Sequence, residues 1–242
     1  MDVFTCRVSC LPLRQQPSHR SEMVNQVLFG ERVERLDERG NWVLVSTTHD
    51  EYIGWVDWCE ACWQPFTKFE HTAVISSVHA MVRAENTIRK VLFGSLVEKD
   101  RCSVIEGTTL SQLDESAALN LLRKVFDGTP YLWGGRTPYG VDCSGFTQLY
   151  GRLIGMNLPR DAKDQAFIGE DVIMGAYLPG DLLYFSQPDG ETITHVGIAL
   201  DESHLLHASG LVHIGIYNDQ GIRMPGHNQF SHRLCLAKRL II

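Results

Sequence analysis

Two stretches, "VLFGERVERL" from Val27 and "VLFGSLVEKD" from Val91, repeat one pattern: an apolar run, a Phe-Gly step and a return to Val-Glu. A degenerate repeat of this kind requires the first half of the chain to be built twice from one small supersecondary unit. Upstream of each copy lies an apolar-Arg step followed by polar loop residues, Leu13-Arg14 and Val82-Arg83. The first copy continues through "NWVLVS", the loop "TTHDE" and "YIGWVD", where apolar residues alternate around Trp42 and Trp55 as in strands with one buried face. Gly54 suits a tight bend or a close backbone approach. Two small β-barrels follow, at residues 1–62 and 63–112, the second lacking the Gly-Trp-Val ending of the first.

At 242 residues the chain is long enough for more than one core, which leaves 113–242 as a third unit. A net charge of −7 with no basic run argues against nucleic acid as a partner. No segment reaches the roughly 18 consecutive apolar residues of a membrane span, so no membrane partner is expected. The amino terminus "MDVFTCRVSC" has an acid at the second position and an early Arg, unlike an export signal, so the expectation is a cytoplasmic protein; a truncated chain would reopen secretion or the periplasm. The seven cysteines include two close pairs, Cys6/Cys10 and Cys59/Cys62. Four such sulfurs are a conceivable zinc set, but reduced thiols are the simpler reading, and no metal or cofactor is expected.

From Thr109, "TLSQLDESAALNLLRKVFDG" carries helix signals: a cap at Ser111 or Asp114, apolar Ala118, Leu121, Leu122 and Val125 at helical spacing, and Gly128 as a stop. The loop "YLWGGRTPYGVDCSGF" then leads into a second helical run, "SGFTQLYGRLIGM". Cys143 therefore falls at a helix N-terminus, where the partial positive charge lowers a thiol's pKa. Taken alone, the loop supports a nucleophile and a small core residue equally.

A nucleophilic cysteine needs a base. Of ten histidines, His49, His71, His79 and His232 lie among polar neighbours and read as surface residues. His195 begins the strand-like "HVGIAL" and His207 ends "SHLLHASG", and the short turn "DES" between these runs makes them an antiparallel pair. Such a pair brings His195 and His207 to one rim of a sheet, near the helix of Cys143, as a thiolate, an imidazole base and an orienting polar group. Two structural histidines are the alternative.

The succession "YLWGG", "DCSGF", "LPRDAKDQ", "LPGDLLYF", "THVGIAL" and "LLHASG" resembles, in order and spacing, the motifs of the NlpC/P60 family of papain-like cysteine peptidases. The first barrel is similar to bacterial SH3-like domains, with their early loop Arg, Gly, Trp-x-x-Val strand and closing Gly-Trp-Val. The implied fold class is α+β: a papain-like catalytic domain preceded by two small SH3-like β-barrels. By the same resemblance Cys143 is the nucleophile, His195 the base, His207 its orienting partner, and Tyr131 an oxyanion-stabilising aromatic.

An SH3-like pair before this domain is similar to the YkfC-type γ-D-glutamyl-L-diamino acid endopeptidases, which cut murein peptides carrying a free N-terminal L-alanine. The resemblance implies a murein-derived peptide as partner, with Asp161 reading the free amine and Glu22 and Tyr52 closing the site to longer peptides. Trp133, Asp142 and Ser144 would line the D-glutamate pocket. Each has an ordinary structural alternative: Asp161 a helix cap, Glu22 a solvated charge, Tyr52 strand packing, Trp133 core. Ala162 stands where many members have serine, removing one hydroxyl from the substrate site. The rival readings are a secreted hydrolase of intact wall, a non-catalytic binding module, and an acyltransferase or amidase on the same scaffold.

Overall fold

A computed structural model describes residues 2–66, 72–224, 226 and 229–241; His71 lies outside the described residues. The chain divides into two compact units, Met1–Gln112 with Trp133–Pro138, and Leu113–Leu132 with Tyr139–Ile242.

In the first unit β1 (Val3–Cys6), β2 (Cys10–Arg14), β3 (Met23–Leu28), β4 (Arg32–Arg39), β5 (Trp42–Thr47), β6 (Ile53–Asp57) and β7 (Trp63–Pro65) form one sheet in the order β3-β2-β6-β5-β4-β1-β7. Alternate residues of β5 are buried, as its period-2 sequence requires. Cys6, Leu13, Val27, Val33, Val43, Val45, Val56 and Trp63 make the core. Gly54 admits β2: a Cβ there would stand 3.0 Å from that of Leu13.

The second copy folds as two three-stranded sheets, β10 (Thr87–Leu92)-β9 (His79–Ala84)-β12 (Cys102–Glu106) and β11 (Leu96–Glu98)-β8 (Thr72–Ile75)-β13 (Thr109–Leu110). The repeat is preserved down to its hydrogen bonds. The Gly30 amide donates to the Cys6 carbonyl and the Gly94 amide to that of Ile75, both at 2.9 Å, and both glycines take φ +81. The side chain one residue further on accepts a backbone amide in each: Glu31 from Leu28 at 2.8 Å, Ser95 from Leu92 at 3.3 Å. The two turns also meet, since Leu96 donates its amide to the Phe29 carbonyl and Phe29 enters the second copy's core. A Cβ on Gly30 would fall 1.9 Å from the Leu96 oxygen, so glycine is obligatory there.

The expected third domain began at residue 113 and ran unbroken, but Trp133–Pro138, with β14 (Arg136–Thr137), packs in the first unit. The reason is Arg136, whose buried guanidinium bonds both Glu31 carboxylate oxygens, at 2.9 and 3.0 Å, and the Gln26 carbonyl, at 2.9 Å.

The second unit contains α1 (Glu115–Phe126), β15 (Gly140–Val141), α2 (Cys143–Leu153), α3 (Ala162–Gln165) and a sheet of β16 (Glu170–Asp171), β17 (Leu182–Ser186), β18 (Ile193–Ala199), β19 (His204–Ser209), β20 (Leu211–Asn218), β21 (Gly221–Arg223) and β22 (Phe230–Arg239). Asp114 caps α1, accepting the Ala117 amide at 2.8 Å, and Gly128 ends the turn beyond it at φ +74. The face of α1 differs from the expected one: Leu119 and Phe126 are buried beside Ala118 and Leu122, while Leu121 and Val125 are only half-buried. In α2 every residue but Arg152 is buried, the state of a helix enclosed on all sides. The strands run in the order β16-β22-β17-β18-β19-β20-β21, and β21 returns to pair with β22, closing a six-stranded ring. Leu183, Phe185, Ala199, Leu205, Tyr217, Leu234 and Ala237 cluster on one face of it. Among the described residues no helix is long and apolar enough to cross a membrane.

Candidate active site

The Asp142-Cys143 step is fixed by helix capping. Asp142 is the N-cap of α2, its Oδ1 accepting the Gly145 amide at 2.7 Å, which leaves Cys143 as the first helical residue. The Cys143 sulfur, 5% exposed, receives backbone N–H groups of Ser144 and of Val196, the residue after His195. Helix and strand thus meet at the nucleophile candidate.

Strands β18 and β19 pair antiparallel with Ile198 opposite Leu206 and Ala199 opposite Leu205. That register puts His195 and His207 on one face as diagonal neighbours. Their rings meet edge to face, with His195 Nε2 2.9 Å from His207 Nδ1. Glycines make the room: a Cβ on Gly197 would stand 3.0 Å from that of His207, and one on Gly215 would stand 2.7 Å from His207 Nε2. With its Nε2 held by His207, His195 has Nδ1 left for a thiol.

The electrostatics correct one expectation. The helix N-terminus was expected to lower the Cys143 pKa, but burial, then the Asp142 carboxylate, pushes it up to about 12, against smaller lowering effects from Val196, Arg160 and Ser144. Burial likewise drives His195 well below its ordinary value, helped by His207, His232 and His213, and it takes His207 down to about 3. Burial thus opposes both the thiolate and the imidazolium in this site. Tyr131 is half-buried, its amide donating to the Gly210 carbonyl at 2.9 Å. Burial, then the neighbouring Cys143 and Asp142, raises the phenol's pKa and keeps it a hydroxyl donor.

Asp142 and Ser144 are buried and tied to Arg160, whose guanidinium pairs with both Asp142 oxygens and donates to Ser144 Oγ at 2.9 Å. Asp161 occupies the N-cap position of α3 without making a side-chain cap, contrary to its ordinary alternative. Its carboxylate stays half-exposed, 4.0 Å from Lys163 Nζ, and burial raises its pKa. In the first unit, Glu22 is exposed at the β2–β3 loop and Tyr52 is half-buried at the entry to β6. Because β2 pairs with β6 through Arg14 and Trp55, and Gln15 donates to the Glu22 carbonyl, both lie at one end of that sheet. Trp133 is 56% exposed and is not a core residue.

Two functional candidates escaped the sequence reading. Arg160 sits inside the motif "LPRDAKDQ" but was passed over for its acidic neighbour. His232, read as a surface residue, stacks on His195 with ring centroids 4.6 Å apart and 30° between planes. His49 is also not a plain surface residue, since its Nε2 lies 3.5 Å from Asp50 and 3.8 Å from Glu31. All seven cysteines are free, and among the described residues no group of three or more His, Cys, Asp or Glu is arranged to hold a metal ion.

A buried helix-borne cysteine beside a strand-borne imidazole pair has the parts of a thiol hydrolase. Residues 128–233 match the NlpC/P60 family, and residues 13–57 match the bacterial dipeptidyl-peptidase Sh3 domain. The chain thus carries an NlpC/P60 domain preceded by a bacterial Sh3 domain. It is 29% identical over 210 residues to a gamma-D-glutamyl-L-lysine dipeptidyl-peptidase of Bacillus subtilis strain 168, covering 76% of this chain and 71% of that protein. It is 43% identical over 94 residues to a probable endopeptidase NlpC of Escherichia coli K12, covering 38% and 61% of the two. The crystal structure of an NlpC/P60 family protein from Bacillus cereus ATCC 10987 shares the fold, with TM-score 0.78 at 19% identity over 98% of this chain and 99% of that one.

Proposed function

We propose that this chain is a cysteine peptidase that cleaves the bond between γ-linked D-glutamate and a diamino acid, meso-diaminopimelate or L-lysine, in murein peptides with a free N-terminal L-alanine. The observation that carries the chemistry is the His195–His207 contact at 2.9 Å, on the strand whose next amide faces the Cys143 sulfur. The substrate rests on the similarity to a gamma-D-glutamyl-L-lysine dipeptidyl-peptidase over 76% of this chain, together with the matches to the dipeptidyl-peptidase Sh3 domain and the NlpC/P60 family.

In this mechanism His195 takes the thiol proton as the Cys143 sulfur bonds to the amide carbonyl. Backbone amides at the start of α2 and the Tyr131 hydroxyl hold the oxyanion. Collapse breaks the C–N bond, His195 returns its proton to the departing amine, and water hydrolyses the thioester. His207 orients the base throughout.

The same proposal gives Asp161 the free ammonium, which needs a charged partner once desolvated, and gives Glu22 and Tyr52 the limit on peptide length. Trp133 belongs to the same substrate-facing set, while Asp142 and Ser144 act on the pocket through Arg160. Seven free cysteines support a reducing compartment, so the proposed setting is cytoplasmic recycling of wall peptides.

The test compares L-Ala-γ-D-Glu-meso-diaminopimelate, its L-lysine counterpart, the N-acetylated forms and intact peptidoglycan, with Cys143→Ala as control. The proposal expects release of L-Ala-γ-D-Glu from free-amine peptides only, and none from the control. Efficient cleavage of acetylated peptides or intact wall would support the wall-hydrolase reading instead.

A further inference from the structure

His195 is anchored at one vertex and needs to be held at a second place. Its hydrogen bond to His207 fixes where Nε2 sits. The χ2 torsion of histidine is broad, however, and a bond at Nε2 lies close to the axis about which the ring turns, so it restrains the ring plane weakly. Two rings flank that plane. Phe185, directly across the ladder on β17, is tilted by 41° at 6.0 Å. His232, reaching over from β22, lies nearly flat against the imidazole at 4.6 Å and 30°.

The scaffold holds His232 firmly in that place. Its backbone pairs with Ile222 on β21, and Gly221 comes so close that a Cβ there would fall 1.8 Å from the His232 carbonyl oxygen. Its Nδ1 lies 3.0 Å from the neighbouring Ser231 Oγ. Burial lowers the His232 pKa, which favours the uncharged form of the stacked ring.

We propose that His232 is a positioning residue, whose stacked ring face sets the plane of the His195 base so that its free nitrogen is aimed at the Cys143 thiol. This rests on the cysteine-peptidase reading. What it adds is that the flat face of His232, rather than its hydrogen bonding, serves the reaction.

The experiment compares wild type with His232→Ala, which removes the face, and His232→Phe, which restores a flat ring without a titrating nitrogen. One readout is kcat and KM on L-Ala-γ-D-Glu-L-Lys or its diaminopimelate counterpart. A second needs no substrate: the rate of iodoacetamide alkylation at Cys143, followed by mass spectrometry of the Cys143 peptide. Misaimed by a fraction of an ångström, His232→Ala is expected to lose about tenfold to a hundredfold in kcat, with KM within about twofold, and Cys143 alkylation slows with it. His232→Phe is expected to recover most of both. Should His232→Ala not fold, His232→Leu replaces it, filling the space without a flat face and remaining slow. Wild-type rates in His232→Ala, or equal losses in the Phe and Ala variants, would overturn the assignment. If wild type cleaves neither peptide the peptidase reading fails, and the alkylation rates still decide the role of His232.

Discussion

In the first unit Glu31 receives both terminal nitrogens of Arg136 while its Oε2 also accepts the Leu28 amide. In the second, Asp142 receives both terminal nitrogens of Arg160 while its Oδ1 also accepts the Gly145 amide. Each carboxylate therefore caps a backbone and neutralises a buried guanidinium. Glu31 does this in a barrel turn where, after burial, its charge raises the pKa of the Cys10 thiol and that of Arg136 lowers it. Asp142 does it one residue before Cys143, where its charge raises the thiol pKa and that of Arg160 lowers it. The same device acts on a thiol in both units, and only in the second is that thiol the first residue of a helix beside a histidine pair.

The largest expected effect comes from removing one guanidinium at a time. Arg160→Met and Arg136→Met each leave a buried carboxylate uncompensated, at a cost of about 3–5 kcal/mol. Hydrogen exchange followed by mass spectrometry should place each loss in its own unit. Only Arg160→Met is expected to raise the Cys143 pKa and slow its alkylation, by up to about tenfold per pKa unit gained. Equal slowing in Arg136→Met would erase the contrast.

Neutralising the carboxylates sharpens it further. Asp142→Asn and Glu31→Gln keep most of the shape and leave an arginine unpaired, so both lose stability, by about 2–4 kcal/mol. At the thiol the sign reverses: Asp142→Asn lowers the Cys143 pKa, where Arg160→Met raises it. A pH series of Cys143 alkylation reads the sign directly.

An effect of smaller slope, spread over several pH units, separates the units by acid. The His207 pKa falls from about 6.5 unfolded to about 3 folded, so in that window the unfolded state binds the extra proton. Stability from His207 is complete above about pH 6.5 and is lost as pH falls towards 3, at about 1.4 kcal/mol per pH unit. The second unit is expected to lose protection across this range with a steeper slope than His207→Gln allows. The smallest effect is Ser95→Ala: this turn carries a hydroxyl where the first copy carries Glu31, and losing one cap bond costs about 1 kcal/mol.

What was legible in the sequence was encoded locally. The two Phe-Gly turns, the N-cap before Cys143 and the period-2 run that sets the His195–His207 register each depend on a few neighbouring residues. Arg160 was not legible, because its partner Asp142 is met only through the packing of the α3 segment against α2. The rise in the thiol pKa was missed for a similar reason: a helix dipole can be read from a sequence, but the burial that outweighs it cannot. His232 did leave a signal. In "FSHRLCL" it shares strand parity with Leu234, which faces the ring's core, and polar neighbours at odd steps say nothing of that face.

The closure of the second unit's sheet has a bearing on how the protein behaves when crowded. A strand edge with free amides and carbonyls is a template for a second chain. Here the ten-residue β22 is paired with β17 on one side and, along its length, with β21 and then β16 on the other. The two-residue β16 at the margin bears only the exposed acids Glu170 and Asp171. Strand-by-strand growth into fibres therefore has little to start from in this unit while the ring stays shut, and opening of the β21–β22 seam is the event that would license it.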